Sequence, residues 1–260
     1  MPRARPVVIC GGRRAATAGR SRRGWASRAL LIDALGTLVA LRPPAPALVR
    51  ELGERFGCEI SEQQASAALA AEIRFYRSHM QMGRDDAGLR ELRRRCAAAM
   101  RDALPGEVRA GLGDLGELAD ALMASLSFEA FEDARPALVG AREAGLAAVA
   151  VSNWDVSLEG VLEHAGLAPL LDAVVTSAAV GAAKPDGAIF RFALELAGAQ
   201  PRRAVHIGDS LREDVEGALR CGIRAVLLNR AGAREGVAPP PALTISTLTE
   251  LAPLLDRLWT

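Results

Sequence analysis

Short apolar runs alternate with amphipathic segments over the second half of the chain. LAAVAVSN (146–153), LDAVVTS (171–177), AVHIGDS (204–210) and RAVLLN (224–229) each have the length and continuity of a buried strand. Between them, residues 156–165, 187–197 and 213–221 space their apolar positions as helices do. A further run, LLID at 30–33, lies far upstream. Strand alternating with helix predicts βαβ units and a parallel sheet, with ligand chemistry at the carboxyl ends of the strands.

The alternation is interrupted over residues 43–132. APALVRELGERFG, SEQQASAALAAEIRFYRSHM, DDAGLRELRRRCAAAMRDAL and LGDLGELADALMASL all carry helical spacing. Ser61 and Gln64 form a capping start, and Gly57 a stop. The expected division is therefore a basic extension over 1–29, an α/β core from 30–42 plus 133–260, and a helical insertion over 43–132. Arg93, Arg94 and Arg95 read as a solvated helix face.

Composition changes this picture in three places. With 260 residues and 50% hydrophobic content the chain can bury a substantial core. No apolar stretch approaches the roughly 18 residues of a membrane span, and Cys10, Cys58, Cys96 and Cys221 lack paired or metal-type spacing. A cytoplasmic protein with no membrane partner is expected. The formal charge of +1 conceals an asymmetry: the first 30 residues hold eight arginines and no acid, against 24 basic and 31 acidic residues in the rest. That basic segment is expected to be a disordered extension without a secretory leader, a nucleic-acid or lipid-binding arm being the alternative; the folded body should bind no nucleic acid. Finally, 31 of the 32 basic residues are arginine, and Lys184 is the sole lysine. A compact ammonium differs from a guanidinium where a point charge must fit among oxygens.

The predicted strand ends carry polar residues. Asp33 ends the first, Ser152 and Asn153 the second, and Asp209 with Asp214 the GDSLRED segment; Lys184 lies in AAKPDGAIF. Singly, each could cap a helix or shape a turn. Jointly, carboxylates, a hydroxyl and one ammonium at one sheet edge form a hard oxygen site beside an anion site. Such carboxylates repel unless a divalent cation neutralises them, and Mg²⁺ suits them. The ammonium and hydroxyl would hold a transferring phosphoryl group, and a carboxylate can be its nucleophile.

DALGTL, VSN, the lysine of SAAVGAAKPDGAIF and HIGDSLREDV, in this order and with a helical insertion after the first, resemble the four motifs of the haloacid dehalogenase-like hydrolases. The resemblance runs from about Leu30 to Leu255. It implies a Rossmann-like α/β core with an inserted all-helical cap that closes over the site, hinged near 43–46 and 133–136. It also implies Asp33 as nucleophile and Mg²⁺ ligand, with the backbone carbonyl of Leu35, Asp209 and Asp214 completing the metal site. Ser152 and the backbone N–H of Asn153 would hold phosphoryl oxygens, and Lys184 would orient Asp33. The expected activity is hydrolysis of a small phosphorylated metabolite.

One position departs from the family's phosphatase pattern. Two residues after the nucleophile those enzymes carry an aspartate acid/base, where this chain has Leu35. Three readings follow: a specialised Mg²⁺-dependent phosphatase, a 2-haloacid dehalogenase, whose chemistry needs no such acid, or a binding relative without turnover. His79 in the helical insertion and Asp155 beside the second motif are the candidate substitutes for that acid, and the sequence assigns neither a role.

Overall fold

The computed structural model describes residues 9–10, 13–14, 28–230, 238 and 240–259. Within the basic segment, β1 (Ile9–Cys10) pairs antiparallel with β2 (Arg13–Arg14). The rest of that segment, where a disordered extension is expected, lies outside the described residues.

The chain separates into two compact units, one comprising residues up to Ala40 together with Ala130 onward, the other Leu41–Glu129. The first unit is built on a six-stranded sheet. Its strands are β3 (Ala29–Ile32), β6 (Ala147–Ser152), β7 (Ala173–Thr176), β8 (Ala204–Gly208), β9 (Arg224–Leu228) and β10 (Leu243–Ile245). They lie in the order β10-β9-β8-β3-β6-β7 with parallel pairing throughout. In sequence the sheet grows to one side of β3 through β6 and β7 and to the other through β8, β9 and β10. The order reverses at β3, and open α/β sheets bind ligands at the carboxyl ends of the strands at such a switch point.

All four residues of β3 are fully buried. A parallel strand covered on both faces reads as a continuous apolar run, not an alternating one. On one face Leu31, Val149 and Val151 join Ile189, Phe190 and Leu194 of α9 (Gly187–Ala197) in one core cluster. On the other, Leu30, Ile32, Ala148, Ala150 and Ile207 are equally closed to solvent. The helices α6 (Ala134–Glu143), α7 (Leu158–His164), α8 (Ser177–Val180), α10 (Gly217–Arg220) and α11 (Leu251–Trp259) complete this unit.

The helix expected over 213–221 is realised differently. A π-helical turn, Leu211–Glu216, precedes the short α10. Asp214 N–H and Val215 N–H both donate to the Ser210 carbonyl, at 3.0 and 3.2 Å. The wider turn lets the buried Asp214 side chain point inward, a use to which π turns are often put at functional sites.

The second unit holds α1 (Ala45–Phe56), α2 (Glu62–His79), α3 (Asp86–Asp102), α4 (Gly106–Gly111) and α5 (Leu115–Ser125). Its core is formed by Leu48, Leu52, Leu69, Leu92, Met100, Leu118 and Leu122. The Ser61–Gln64 capping box is complete, and Gly57 ends α1 in the left-handed conformation at φ 63°. Asp85 and Asp114 cap α3 and α5. Around the unit boundaries, β4 (Val39–Leu41) and β5 (Phe128–Ala130) form a separate two-stranded sheet. Among the described residues no helix is long and apolar enough to cross a membrane.

Candidate active site

Three adjacent strands, β6, β3 and β8, end in the polar residues singled out by sequence. Asp33 follows β3, and its N–H continues the ladder to β8 by donating to the Ile207 carbonyl at 2.9 Å. Ser152 is the last residue of β6, and Asp209 follows Gly208 at the end of β8. Lys184 arrives from the loop after α8 and is buried. That loop is held by the Asn153 side chain. Its Oδ1 accepts from Lys184 N–H at 2.7 Å, while its Nδ2 donates to the Lys184 carbonyl and to Glu213 Oε2, both at 3.0 Å. The sequence pointed to the Asn153 backbone; its side chain has this second task.

Asp33 Oδ1 accepts from Lys184 Nζ at 2.6 Å and from Ser152 Oγ at 3.0 Å. Lys184 Nζ also donates to Asp214 Oδ1 at 2.6 Å. The same oxygen accepts from His206 Nε2 at 2.9 Å, and Asp214 Oδ2 accepts from Ser210 N–H at 3.0 Å. An ionised carboxylate only accepts, so the His206 proton is on Nε2, leaving buried Nδ1 without a partner among the described residues. The ring of Phe190 meets His206 edge-on, with centroids 5.0 Å apart.

Burial opposes charge on all three groups; it prevails at Asp33, and neighbouring charges prevail at Asp214 and Lys184. Burial raises the Asp33 pKa, against the opposing Lys184 charge and with the help of the Asp214 charge. For Asp214, burial is outweighed by Lys184 and His206, which hold it well below the usual carboxylate range. For Lys184, burial is outweighed by the charges of Asp214 and Asp33, which raise it above the ordinary lysine value. Lys184 and Asp214 thus each favour the other's charged form.

The carboxylate oxygens of Asp33, Asp209 and Asp214 lie within 4.8 Å of one another. One ammonium cannot balance three such groups, and the donors are all hard oxygens, so the residues fit a small divalent cation such as Mg²⁺. Asp214 already accepts three donors, and Asp33, Asp209 and Asp214 together could hold such a cation. Access to Asp209 depends on Gly36. At φ 80° it adopts a conformation that favours glycine, and a Cβ there would stand 2.3 Å from Asp209 Oδ2. Leu35, whose backbone carbonyl the resemblance implies as a ligand, bridges to Val39 and is an exposed residue, at 41%. It supplies no acid.

Two other acid/base types are engaged locally. His79 Nδ1 meets the Phe75 carbonyl at 2.8 Å and its ring stacks on Phe75 within α2. Asp155 Oδ1 accepts from Ser157 N–H at 2.7 Å, closing the turn into α7. The sequence reading missed His206 and Glu213. A histidine in the middle of the apolar run AVHIGDS was the available signal for the first.

The family model for haloacid dehalogenase-like hydrolases matches residues 27–222. The phosphoserine phosphatase of Thermus thermophilus is 31% identical over 85% of this chain and 96% of its own length. The haloacid dehalogenase-like hydrolase domain-containing protein 3 of Bos taurus is 39% identical over 51% of this chain, which spans only 54% of that protein. Among solved structures, a HAD phosphatase from Thermococcus onnurineus shares 28% identity and a TM-score of 0.59, covering 88% of this chain and 97% of its own. A 2-haloacid dehalogenase from Pseudomonas syringae, at 22% identity and TM-score 0.63 over 90% of this chain and all of its own, shares the fold. With strand order, carboxylate cluster and buried lysine already in place, these matches make the chain a member of the haloacid dehalogenase-like hydrolases.

Proposed function

We propose that the chain is a Mg²⁺-dependent hydrolase of small phosphomonoesters with Asp33 as its nucleophile. The asymmetry of the Asp33 carboxylate carries this reading. Lys184 and Ser152 both donate to Oδ1, and no described residue donates to Oδ2. A carboxylate anchored through one oxygen is set to attack phosphorus with the other, breaking the ester P–O bond and releasing the alcohol, to form an aspartyl phosphate that water then cleaves to phosphate and free carboxylate. The relatives named as phosphoserine phosphatase and pyrimidine 5'-nucleotidase support a phosphate ester as substrate class.

Mg²⁺, held by Asp33 and Asp209 with the Leu35 carbonyl and Asp214 in support, would offset charge on the phosphoryl group. Ser152 Oγ and the Asn153 N–H would receive phosphoryl oxygens, and the bonds from the Asn153 side chain to Lys184 and Glu213 would fix where that N–H points. Lys184 offsets part of the burial cost that raises the Asp33 pKa.

Leu35 narrows the substrate. Acid help to a leaving oxygen is worth ~10²–10⁴ in rate, so its absence favours esters that leave without a proton, aryl and acyl phosphates over alkyl ones. Assays with an aryl phosphate, an alkyl phosphate and 2-chloropropionate, each with Mg²⁺ and with chelator, test the reading. It requires metal-dependent aryl phosphate hydrolysis that Asp33→Asn abolishes. The apolar Leu35 also favours a second reading, haloacid dehalogenation, which predicts chelator-insensitive chloride release; the three-carboxylate cluster weighs against it. Mg²⁺-dependent thermal stabilisation without any turnover would indicate a binding relative.

A further inference from the structure

A second charged assembly meets the turn that follows the nucleophile, among residues to which the motifs assign nothing. Arg230 follows β9. Its Nη1 and Nη2 donate to Oδ2 and Oδ1 of Asp133 at 2.9 and 2.8 Å, and Nη2 also donates to the Thr37 carbonyl at 2.8 Å. The guanidinium carbon stands 3.8 Å from the centroid of the Phe131 ring. Asp133 Oδ2 in turn accepts from Thr247 Oγ1 at 2.7 Å and Leu248 N–H at 2.8 Å. Four segments distant in sequence thus meet on one arginine–carboxylate pair, and a planar fork is what such a bidentate contact needs.

The Thr37 carbonyl belongs to the turn that carries Asp33. That turn is closed on itself: Thr37, Leu38 and Val39 N–H all donate to the Ala34 carbonyl, and Gly36 N–H to the Val39 carbonyl. Gly36 faces Asp209 from one side of the turn, and Phe131 N–H donates to the Leu38 carbonyl at 3.0 Å. The half-buried Arg230 is the charged group that grips the turn, next to a Thr37 side chain with no solvent exposure.

We propose that Arg230, oriented by Asp133, is a positioning residue for the nucleophile: it holds the Thr37 carbonyl and thereby fixes the turn that sets Asp33 and Gly36 against Asp209. The grip on the turn stands independently; its effect on metal binding rests on the phosphohydrolase reading.

Hydrogen exchange and Mg²⁺ calorimetry on the full chain test both parts. In Arg230→Met the amides of Gly36, Leu38 and Val39 should exchange about tenfold faster or more, the scale of one lost charge-assisted hydrogen bond. Amides of β3 and β6 should stay near wild-type rates, and Arg230→Lys should recover part of the protection without the bidentate fork. The Mg²⁺ dissociation constant should rise roughly fivefold in Arg230→Met, again with partial recovery in Arg230→Lys. Turn amides at wild-type rates in a folded Arg230→Met, or an unchanged Mg²⁺ affinity alongside a lowered Tm, would overturn the proposal and leave Arg230 a packing residue. If Arg230→Met fails to fold, Asp133→Asn preserves size and should show a smaller acceleration at the same amides; none would be equally fatal. A wild-type chain that takes up no Mg²⁺ sinks the phosphohydrolase reading instead, and exchange at the turn still decides the grip.

Discussion

Replacing Lys184 with methionine removes the one positive charge that Asp33 and Asp214 share, while keeping most of the apolar stem. Both contacts are 2.6 Å and both partners are buried, so the substitution strands two carboxylates with little access to water. Removing one partner of a buried pair costs about 3–5 kcal/mol. The two contacts depend on one ammonium and are not independent, so the loss should fall in that range and not at twice it. A domain of ordinary stability, about 5–15 kcal/mol, would survive. Urea unfolding followed by tryptophan fluorescence is the assay, because no tryptophan lies within 41–129 and the buried Trp154 reports the sheet-containing unit. The measurement is made in chelator and again in Mg²⁺, which should return part of the loss by binding the stranded carboxylates. A loss below about 1 kcal/mol in chelator would mean that these carboxylates are neutral or hydrated, and the electrostatic account of the site would fail.

Three further outcomes are expected. Leu35→Asp should raise alkyl phosphate hydrolysis by up to ~10²-fold while changing aryl phosphate turnover far less; no gain in steady-state kinetics would mean that the pocket is built for other chemistry. Gly36→Ala should weaken Mg²⁺ binding sharply, since φ 80° disfavours the side chain and its Cβ would collide with Asp209 Oδ2; wild-type affinity by calorimetry would contradict the close approach. In the helical unit, burial raises the Glu72 pKa against a hydrogen bond from Cys96. A carboxylate whose folded-state pKa exceeds its unfolded value loses stability as pH rises from the ordinary carboxylate range through the folded value. Glu72→Gln should therefore raise Tm at pH 7 and flatten the slope between pH 4 and 8; a lower Tm at pH 7 would show that the ionised form is well paired.

What could be read from sequence was whatever leaves a local pattern. Asp33, Ser152 and Asp209 follow apolar runs, and position at the end of a parallel strand places them at one edge without any knowledge of pairing. Lys184 stood out by composition alone. The Ser61–Gln64 box and the Gly57 stop are set by residues within four positions of each other, and both form. Partners chosen in three dimensions left no such trace. Arg230 and Asp133 are 97 positions apart, and nothing in either neighbourhood marks a pair. The inward aim of Asp214 depends on a π-helical turn that helical periodicity cannot distinguish from an α-helix. The short β4 and β5 escaped because three residues are too few to show a period.

The ends of the helical unit meet. Arg42 N–H donates to the Ser127 carbonyl at 2.9 Å, and the Arg42 guanidinium pairs with Glu129 at 2.6 Å. A segment that enters and leaves at one point, and has its own apolar core, is to its host little more than an enlarged hairpin loop. Heredity can then treat it as cassette: it can be exchanged, lengthened or rebuilt while the strand register that aligns Asp33, Ser152 and Asp209 is left untouched. A change confined to that contiguous stretch of gene leaves every residue of the carboxylate cluster and its lysine as it was.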